Sequence, residues 1–227
     1  MEDIDDSFPT KRSGGDNVLA VARSGLSAIP LAGGLAVEVL QRLFQAPLDK
    51  RREEWLNLLA GRIELLERRG IDIEQLSNND SFVSAVLSAS QVALKTHTQE
   101  KLDALRAALT NVAIGQSPGD ALEHIFLDLI ESLPALEISL LRFAATPFEG
   151  RNAMTRTLRD KLEESHPDIK SSGAVYELLW LDLAKRGLIT VDNLQESPLA
   201  LSMKTKTLTS DIGARFLKFI TDPVEND

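Results

Sequence analysis

The sequence predicts a mainly α-helical protein of two parts, a helical bundle and a smaller C-terminal domain that contains a small β-hairpin. Up to Phe143, apolar residues recur at spacings of three and four, and no segment is typical of a strand. After Pro147, helical segments give way to β-leaning and turn residues before a last helical segment. We therefore place a tail at 1–16, the bundle at 17–132 and the C-terminal domain at 133–227.

The N-terminal tail and the first two helices differ in their apolar content. Residues 1–16 mix acids with proline and glycine, which predicts disorder because little apolar surface can offset the entropy of ordering. From Asn17 the pattern predicts a helix, an apolar bend at Pro30 and a second helix after Gly34. The second helix carries apolar residues at helical spacing, namely Leu35, Val39, Leu40 and Leu43.

A long helix is predicted to open at Pro47 and to end at Gly70. Its apolar row alternates spacings of three and four through Leu56, Leu59, Ile63 and Leu66. This row could form a seam between two copies of the chain as readily as a contact within one copy. Self-association is therefore one expected mode of binding.

Four more helices are predicted before Phe143. Asn79 and Asp80 are candidate N-caps of the first, and a second runs from about Leu102 to Val112. The remaining two are predicted to start at Ser117–Pro118 and at Pro134.

The C-terminal domain is predicted to hold two helices, at 152–165 and 174–186, then a hairpin and a closing helix. The hairpin strands are Ile189–Val191 and Leu199–Met203, with Asp192 and Asn193 among the turn residues that follow the first.

Two stretches in this domain resemble the winged helix-turn-helix. LAKRGLI at Leu183–Ile189 and LTSDIGARFLKFI at Leu208–Ile220 are similar to the end of many winged-helix proteins, including regulators of the multiple-antibiotic-resistance type. This resemblance implies a winged-helix-like domain at 133–227.

The whole chain also resembles a group of uncharacterised bacterial proteins over residues 25–221. The resemblance rests on the Ile-Pro-x-x-Gly-Gly bend at Ile29–Gly34, on PLDKRREEWL at Pro47–Leu56 and on the winged-helix-like end. It implies a bacterial protein and brings no established activity.

Composition disfavours several classes of partner. The formal net charge of −9 repels nucleic acid and anionic lipid surfaces. The chain has no cysteine, which excludes disulfides and sulfur-ligated zinc and fits a reducing compartment. The acidic N-terminus lacks the pattern of a signal peptide, so we expect a cytoplasmic protein.

No pattern of catalytic or cofactor-binding residues is present, so we expect a non-enzymatic chain without a cofactor. His97, His124 and His166 lie in no metal-binding spacing, and no serine lies in a G-x-S-x-G turn. Gly33 and Gly34 lack the rest of a phosphate-binding loop.

The leading hypothesis is a protein-interaction or regulatory module whose partner is another protein or a second copy. The candidate anchors are the three large aromatic residues Trp55, Tyr176 and Trp180, for each of which core packing is the competing interpretation.

The first alternative is a DNA-binding transcriptional regulator. Its candidate contacts are the basic residues Lys185, Arg186, Lys204 and Lys206. Against it, the helix that would enter the major groove offers Val175, Glu177 and Leu178 near its start, where base-reading residues are needed.

The second alternative is a membrane-active effector with a conditionally exposed apolar hairpin. The uncharged stretch Ser24–Val37 is too short and too broken for a membrane span, so insertion would be partial. The candidate residues are Leu26, Ile29, Pro30, Gly33, Gly34 and Leu35. A close-packed bend between two helices is the competing interpretation.

Overall fold

The computed structural model describes residues 34–147, 157–196 and 207–223, and for 34–47 it describes the backbone alone. These residues are mainly helical. Their helices are α1 Gly34–Arg68, α2 Ile73–Ser77, α3 Asp80–Lys95, α4 Gln99–Ala113, α5 Asp120–Ser132, α6 Ala135–Ala145, α7 Leu158–Ser165, α8 Ile169–Lys185 and α9 Asp211–Phe219. The predicted tail at 1–16 lies outside the described residues.

Two compact units divide the chain, Met1–Lys50 and Arg51–Asp227. Of the first unit, the structure describes only the beginning of α1. The second unit holds the hydrophobic core described below.

Side-chain caps set several helix starts where the sequence places short polar residues. Asn79 accepts hydrogen bonds from the backbone N–H groups of Ser81 at 3.0 Å and Phe82 at 3.2 Å, so the predicted cap of α3 is confirmed. Thr157 and Asp160 form a reciprocal capping box at the start of α7.

Two predicted helix starts were wrong. Pro47 lies inside α1, because helix-forming residues on both sides of it outweigh the one hydrogen bond that a proline removes. Helix α5 starts at Asp120 after Gly119, which has a φ of 97°. Ser117 instead donates a hydrogen bond to the buried carboxylate of Glu123 at 2.6 Å.

The predicted β-hairpin does not appear in the described residues. Ile189 forms an isolated antiparallel bridge with Thr209, and the predicted second strand, Leu199–Met203, lies outside the described residues. Beyond the bridge, the carbonyl of Val191 accepts a hydrogen bond from Trp180 Nε1 at 2.8 Å. The chain then turns to cap α7, where the carbonyl of Leu194 accepts from the N–H of Arg159 at 2.9 Å.

Aromatic side chains connect the helices of the core. Phe126 of α5 lies 5.4 Å from Phe216 and 5.6 Å from Phe219 of α9 between ring centroids. Phe143 of α6 lies 6.3 Å from Trp180 of α8. Residues on both sides of the predicted boundary at 132/133 therefore contribute to one core. Burying each such ring contributes about 1.5 to 3 kcal/mol.

Gly213 lets α9 approach the chain segment that follows α8. A methyl group at this position would collide with the carbonyl oxygen of Leu188. The same carbonyl accepts a hydrogen bond from Ser210 N at 3.0 Å, so the cap of α9 and the end of the bridge meet there. The glycine of the closing motif is thus required by close packing.

Candidate functional site

The three candidate aromatic anchors lie in the core. Trp55, Tyr176 and Trp180 are 2%, 4% and 0% exposed. Trp55 Nε1 donates to the hydroxyl of Ser90 at 2.9 Å, and the ring of Tyr176 stacks edge-on against His166 at 6.0 Å. In this structure the three side chains stabilise helix packing and offer no surface to a partner.

The candidate DNA contacts are described only in part. Lys185 and Arg186 are exposed at the end of α8, while Lys204 and Lys206 lie outside the described residues. Arg186 Nε donates to Asp182 at 2.6 Å, and its Nη1 donates to the hydroxyl of Ser132 at 3.2 Å. A phosphate would have to compete with both of these contacts.

The candidate membrane hairpin falls almost entirely outside the described residues. This holds for Leu26, Ile29, Pro30 and Gly33, whereas Gly34 and Leu35 begin α1 and have their backbone described. Among the described helices, none combines the length and the apolar character that a membrane crossing requires.

An apolar row that sequence reasoning assigned only in part lies along α1 and α3. Leu56 and Ile63 of α1 are 54% and 37% exposed, and Val83 and Leu87 of α3 are 40% and 62% exposed. Leu66, from the predicted seam, is instead buried. We call these four exposed residues the α1–α3 stripe.

The two helices that carry the stripe run antiparallel. Arg51 donates to the carbonyl of Leu94 at 3.3 Å. Trp55 lies one turn further along α1 and donates to Ser90, which lies one turn before Leu94 on α3. Continuing this register brings Leu56 level with Ala89, two residues from Leu87, and Ile63 level with Phe82, next to Val83. All four are exposed, and this register places the two pairs at similar heights along neighbouring helices.

Charged residues, most of them acidic, border the stripe. Glu53 and Glu67 are exposed on α1 at three residues from Leu56 and four residues from Ile63, and the exposed Arg52 lies four residues before Leu56. The α3 side carries the neutral residues Ser84 and Gln91 beside Leu87, and the exposed Asp80 lies three residues before Val83.

A serine–histidine contact joins α6 to the end of α7. The ring of His166 lies between two hydroxyls, with Nε2 2.8 Å from Ser139 Oγ and Nδ1 2.9 Å from Ser165 Oγ. Burial lowers the pKa of His166, which favours the neutral, basic form. Ser139 and His166 are 27 residues apart, so no local motif could have revealed the contact.

This contact lacks the other parts of a hydrolytic site. The third group is a hydroxyl, where a carboxylate would stabilise a protonated ring. Ser139 lies inside α6, whose N–H groups at that level form helical hydrogen bonds and cannot hold an oxyanion. The arrangement therefore joins two helices.

Glu137 is a buried carboxyl group at the start of α6. Burial, and then the nearby Asp182, raise its pKa to about 7, while Arg186 acts in the opposite direction. Glu137 is 2% exposed, and its Oε2 has no hydrogen-bond partner within the described parts of the chain. An ionised carboxylate at this place costs stability.

The Glu137→Gln variant is expected to change how stability depends on pH. Because the folded-state pKa lies above the ordinary value of 4.5, the native state loses stability as pH rises from about 4.5 to about 7. At pH 8 the variant should therefore gain about 1 to 3 kcal/mol relative to its difference from wild type at pH 4.5. Urea denaturation at both pH values measures this change.

The control is Glu100→Gln, which alters an exposed carboxylate on α4 and should follow the wild type at both pH values. A difference between Glu137→Gln and wild type that is the same at both pH values would contradict the prediction.

Metal ligands do not cluster in the described ranges, where no group of three His, Asp or Glu residues could hold an ion. No family model, curated protein or solved structure matches the chain. The functional argument therefore depends on the surface itself.

Proposed function

We propose that the chain is a non-enzymatic protein-interaction module whose α1–α3 stripe binds an amphipathic helix of a partner protein. The proposal rests on the solvent exposure of the four apolar side chains of the stripe. Scattered apolar residues are common on protein surfaces, but a continuous row along two helices is typical of a binding groove. The four side chains can accept leucine-like anchors spaced by one helical turn.

Charge complementarity selects the partner. Three exposed carboxylates beside the stripe, those of Glu53, Glu67 and Asp80, outnumber the one arginine there, and the chain has a net charge of −9. A second copy would bring further negative charge to this groove, whereas a helix with lysine or arginine beside its apolar face would gain favourable contacts. The proposed partner is therefore a basic amphipathic helix.

Within this proposal, residues 133–227, for which the sequence predicts a winged-helix-like domain, serve packing and protein contacts. Its predicted recognition helix, α8, exposes the apolar residues Val175 and Leu178, which supports a role other than reading DNA. The lack of cysteine fits a reducing compartment such as the bacterial cytoplasm. The DNA-binding and membrane-active hypotheses remain the alternatives.

Fluorescence anisotropy with two labelled designed helices tests the proposed function. Both peptides carry the same leucine face, and one has lysine borders where the other has glutamate. We expect the full chain to bind the lysine peptide at least tenfold more tightly. The double variant Leu56→Glu, Leu87→Glu should lower that affinity at least tenfold, although it adds negative charge that by itself attracts lysine.

A matched control places the same two charges on α8. The variant Val175→Glu, Leu178→Glu should bind the lysine peptide as wild type does. Equal affinity for both peptides, or equal loss in both double variants, would overturn the proposal. A concentration-dependent dimer that only the stripe variant abolishes would also overturn it, in favour of a second copy.

A further inference from the structure

The two ends of the α1–α3 stripe carry different charges. On α1, residues spaced by four and seven positions follow one face of the helix, namely Arg52, Leu56, Ile63 and Glu67. On α3, residues spaced by three and four positions do the same, namely Asp80, Val83, Leu87 and Gln91. All of these side chains are exposed. Because the two helices run antiparallel, Glu67 and Asp80 lie at one end of the stripe, which we call the acidic end, and Arg52 lies at the other.

Neighbouring charges do not remove this difference. Glu64 and Arg68 lie 3.4 Å apart as an ion pair on α1, so their charges offset each other. At the opposite end of the stripe, the exposed Glu53 directly follows Arg52 and offsets its charge. Helix α1 ends and α3 begins near the acidic end, and their terminal partial charges have opposite signs. The carboxylates of Glu67 and Asp80 therefore set the sign of the charge at the acidic end.

The two ends of the stripe are far enough apart to act separately on a bound helix. Arg52 and Glu67 are separated by about 22 Å along α1, at a rise of about 1.5 Å per residue. This separation is more than twice the Debye length of about 8 Å at physiological ionic strength. Each end of a partner helix therefore interacts mainly with the stripe residues that lie next to it.

A partner helix has an electrostatic direction of its own. Its N-terminal turn carries a partial positive charge and its C-terminal turn a partial negative charge, each equivalent to about half an elementary charge. With its N-terminal turn at the acidic end, the helix brings unpaired N–H groups towards Glu67 and Asp80. In the reverse direction, its unpaired carbonyl groups would meet the same two carboxylates and be repelled.

We propose that the partner helix binds the stripe in one direction, antiparallel to α1, with its N-terminal turn and its basic side chains at Glu67 and Asp80. This inference rests on the proposed function, because it concerns the helix that the stripe binds. Basic residues in the last turns of a partner would favour the reverse direction, in which the helix dipole opposes them. A helix with its basic residues in the first turns is therefore the better match.

Two designed peptides of identical composition test the direction by fluorescence anisotropy. Both have acetylated and amidated termini and the same leucine face, and lysines border this face in the first turns of one peptide and in the last turns of the other. We expect the full chain to bind the first peptide at least threefold more tightly. The double variant Glu67→Gln, Asp80→Asn should abolish this preference, which also shows that it does not come from a difference in helicity between the peptides. The matched control Glu53→Gln, Glu100→Gln removes two exposed carboxylates elsewhere and should retain the preference.

A nitroxide spin label reads the direction itself. The chain has no cysteine, so Ser77→Cys and Gln91→Cys each attach one label, the first three residues before Asp80 and the second at the opposite end of the stripe. In the nuclear magnetic resonance spectrum of the first peptide, the label at Ser77→Cys should broaden the N-terminal signals, and the label at Gln91→Cys should broaden the C-terminal signals.

The outcomes separate the direction from the binding. Equal affinity for the two peptides, reversed broadening, or a preference that survives Glu67→Gln, Asp80→Asn would overturn the proposed direction while the proposed function stands. Failure of the chain to bind either peptide, or binding that Leu56→Glu, Leu87→Glu leaves unchanged, would overturn the proposed function and the direction with it.

Discussion

Trp180→Ala is expected to lower the free energy of unfolding by about 3 to 5 kcal/mol, the range for removing a buried aromatic side chain. Trp180 is fully buried on α8 and stacks edge-on against Phe143 of α6. Its indole N–H donates to the carbonyl of Val191 at 2.8 Å, where the chain leaves the bridge. The substitution thus opens a cavity and leaves a buried carbonyl without its donor.

Urea denaturation followed by circular dichroism measures the effect, because the variant loses one of only two tryptophans. Trp180→Phe keeps most of the volume and loses the hydrogen bond, so its loss should be smaller, about 1 to 3 kcal/mol. Leu178→Ala is the control on the same helix, where an exposed side chain should change stability by roughly 0.5 kcal/mol or less. Equal losses for Trp180→Ala and Leu178→Ala would contradict the described packing of α8.

The burial of Trp180 in a helix interface could have been predicted from the sequence. Tyr176, Trp180 and Leu183 recur at spacings of four and three, which puts them on one face of a helix, and all three are buried. Periodicity identifies such a face but does not say whether the chain itself or a partner covers it. These three residues pack in the core because other helices of the same chain cover this face.

The row on α1 shows where periodicity reaches its limit. Leu56, Leu59, Ile63 and Leu66 share one pattern, yet Leu66 is buried and Leu56 and Ile63 are exposed. A row with mean spacing near 3.5 forms a band wider than the contact with one neighbouring helix. The edge of the band nearest the core is covered, and the other edge becomes the α1–α3 stripe.

Local propensity was a poorer guide at the predicted hairpin. Ile189, Thr190 and Val191 favour a strand, but the partners of their backbone groups are set by tertiary contacts. The indole N–H of Trp180 donates to the carbonyl of Val191. The carbonyl of Leu194 then accepts a hydrogen bond from an N–H group in the first turn of α7. The serine–histidine contact was missed for the same reason, because only folding brings α6 and α7 together.

Arg62→Ala is expected to cost about 3 to 5 kcal/mol, because it breaks a buried ion pair from one side. Arg62 is 8% exposed, and its Nε donates to the hydroxyl of Thr110 at 2.6 Å. The same guanidinium pairs with Asp222, which follows α9. Beside this pair, Asn111 Nδ2 lies 2.9 Å from the carbonyl of Phe219 and thereby holds the end of α9. The substitution leaves the buried Asp222 carboxylate without its counter-charge and loosens the contact between α1 and this end of the core.

Two variants separate the charge from general packing. Arg68→Ala removes a highly exposed arginine that lies 3.4 Å from Glu64 on the same helix, and it should change stability by about 0.5 kcal/mol or less. The double variant Arg62→Ala, Asp222→Ala should be more stable than Arg62→Ala alone, because it removes the carboxylate that the single change leaves buried. If the two losses simply add, Arg62 stabilises α1 through its aliphatic stem and Thr110, and the ion pair contributes little.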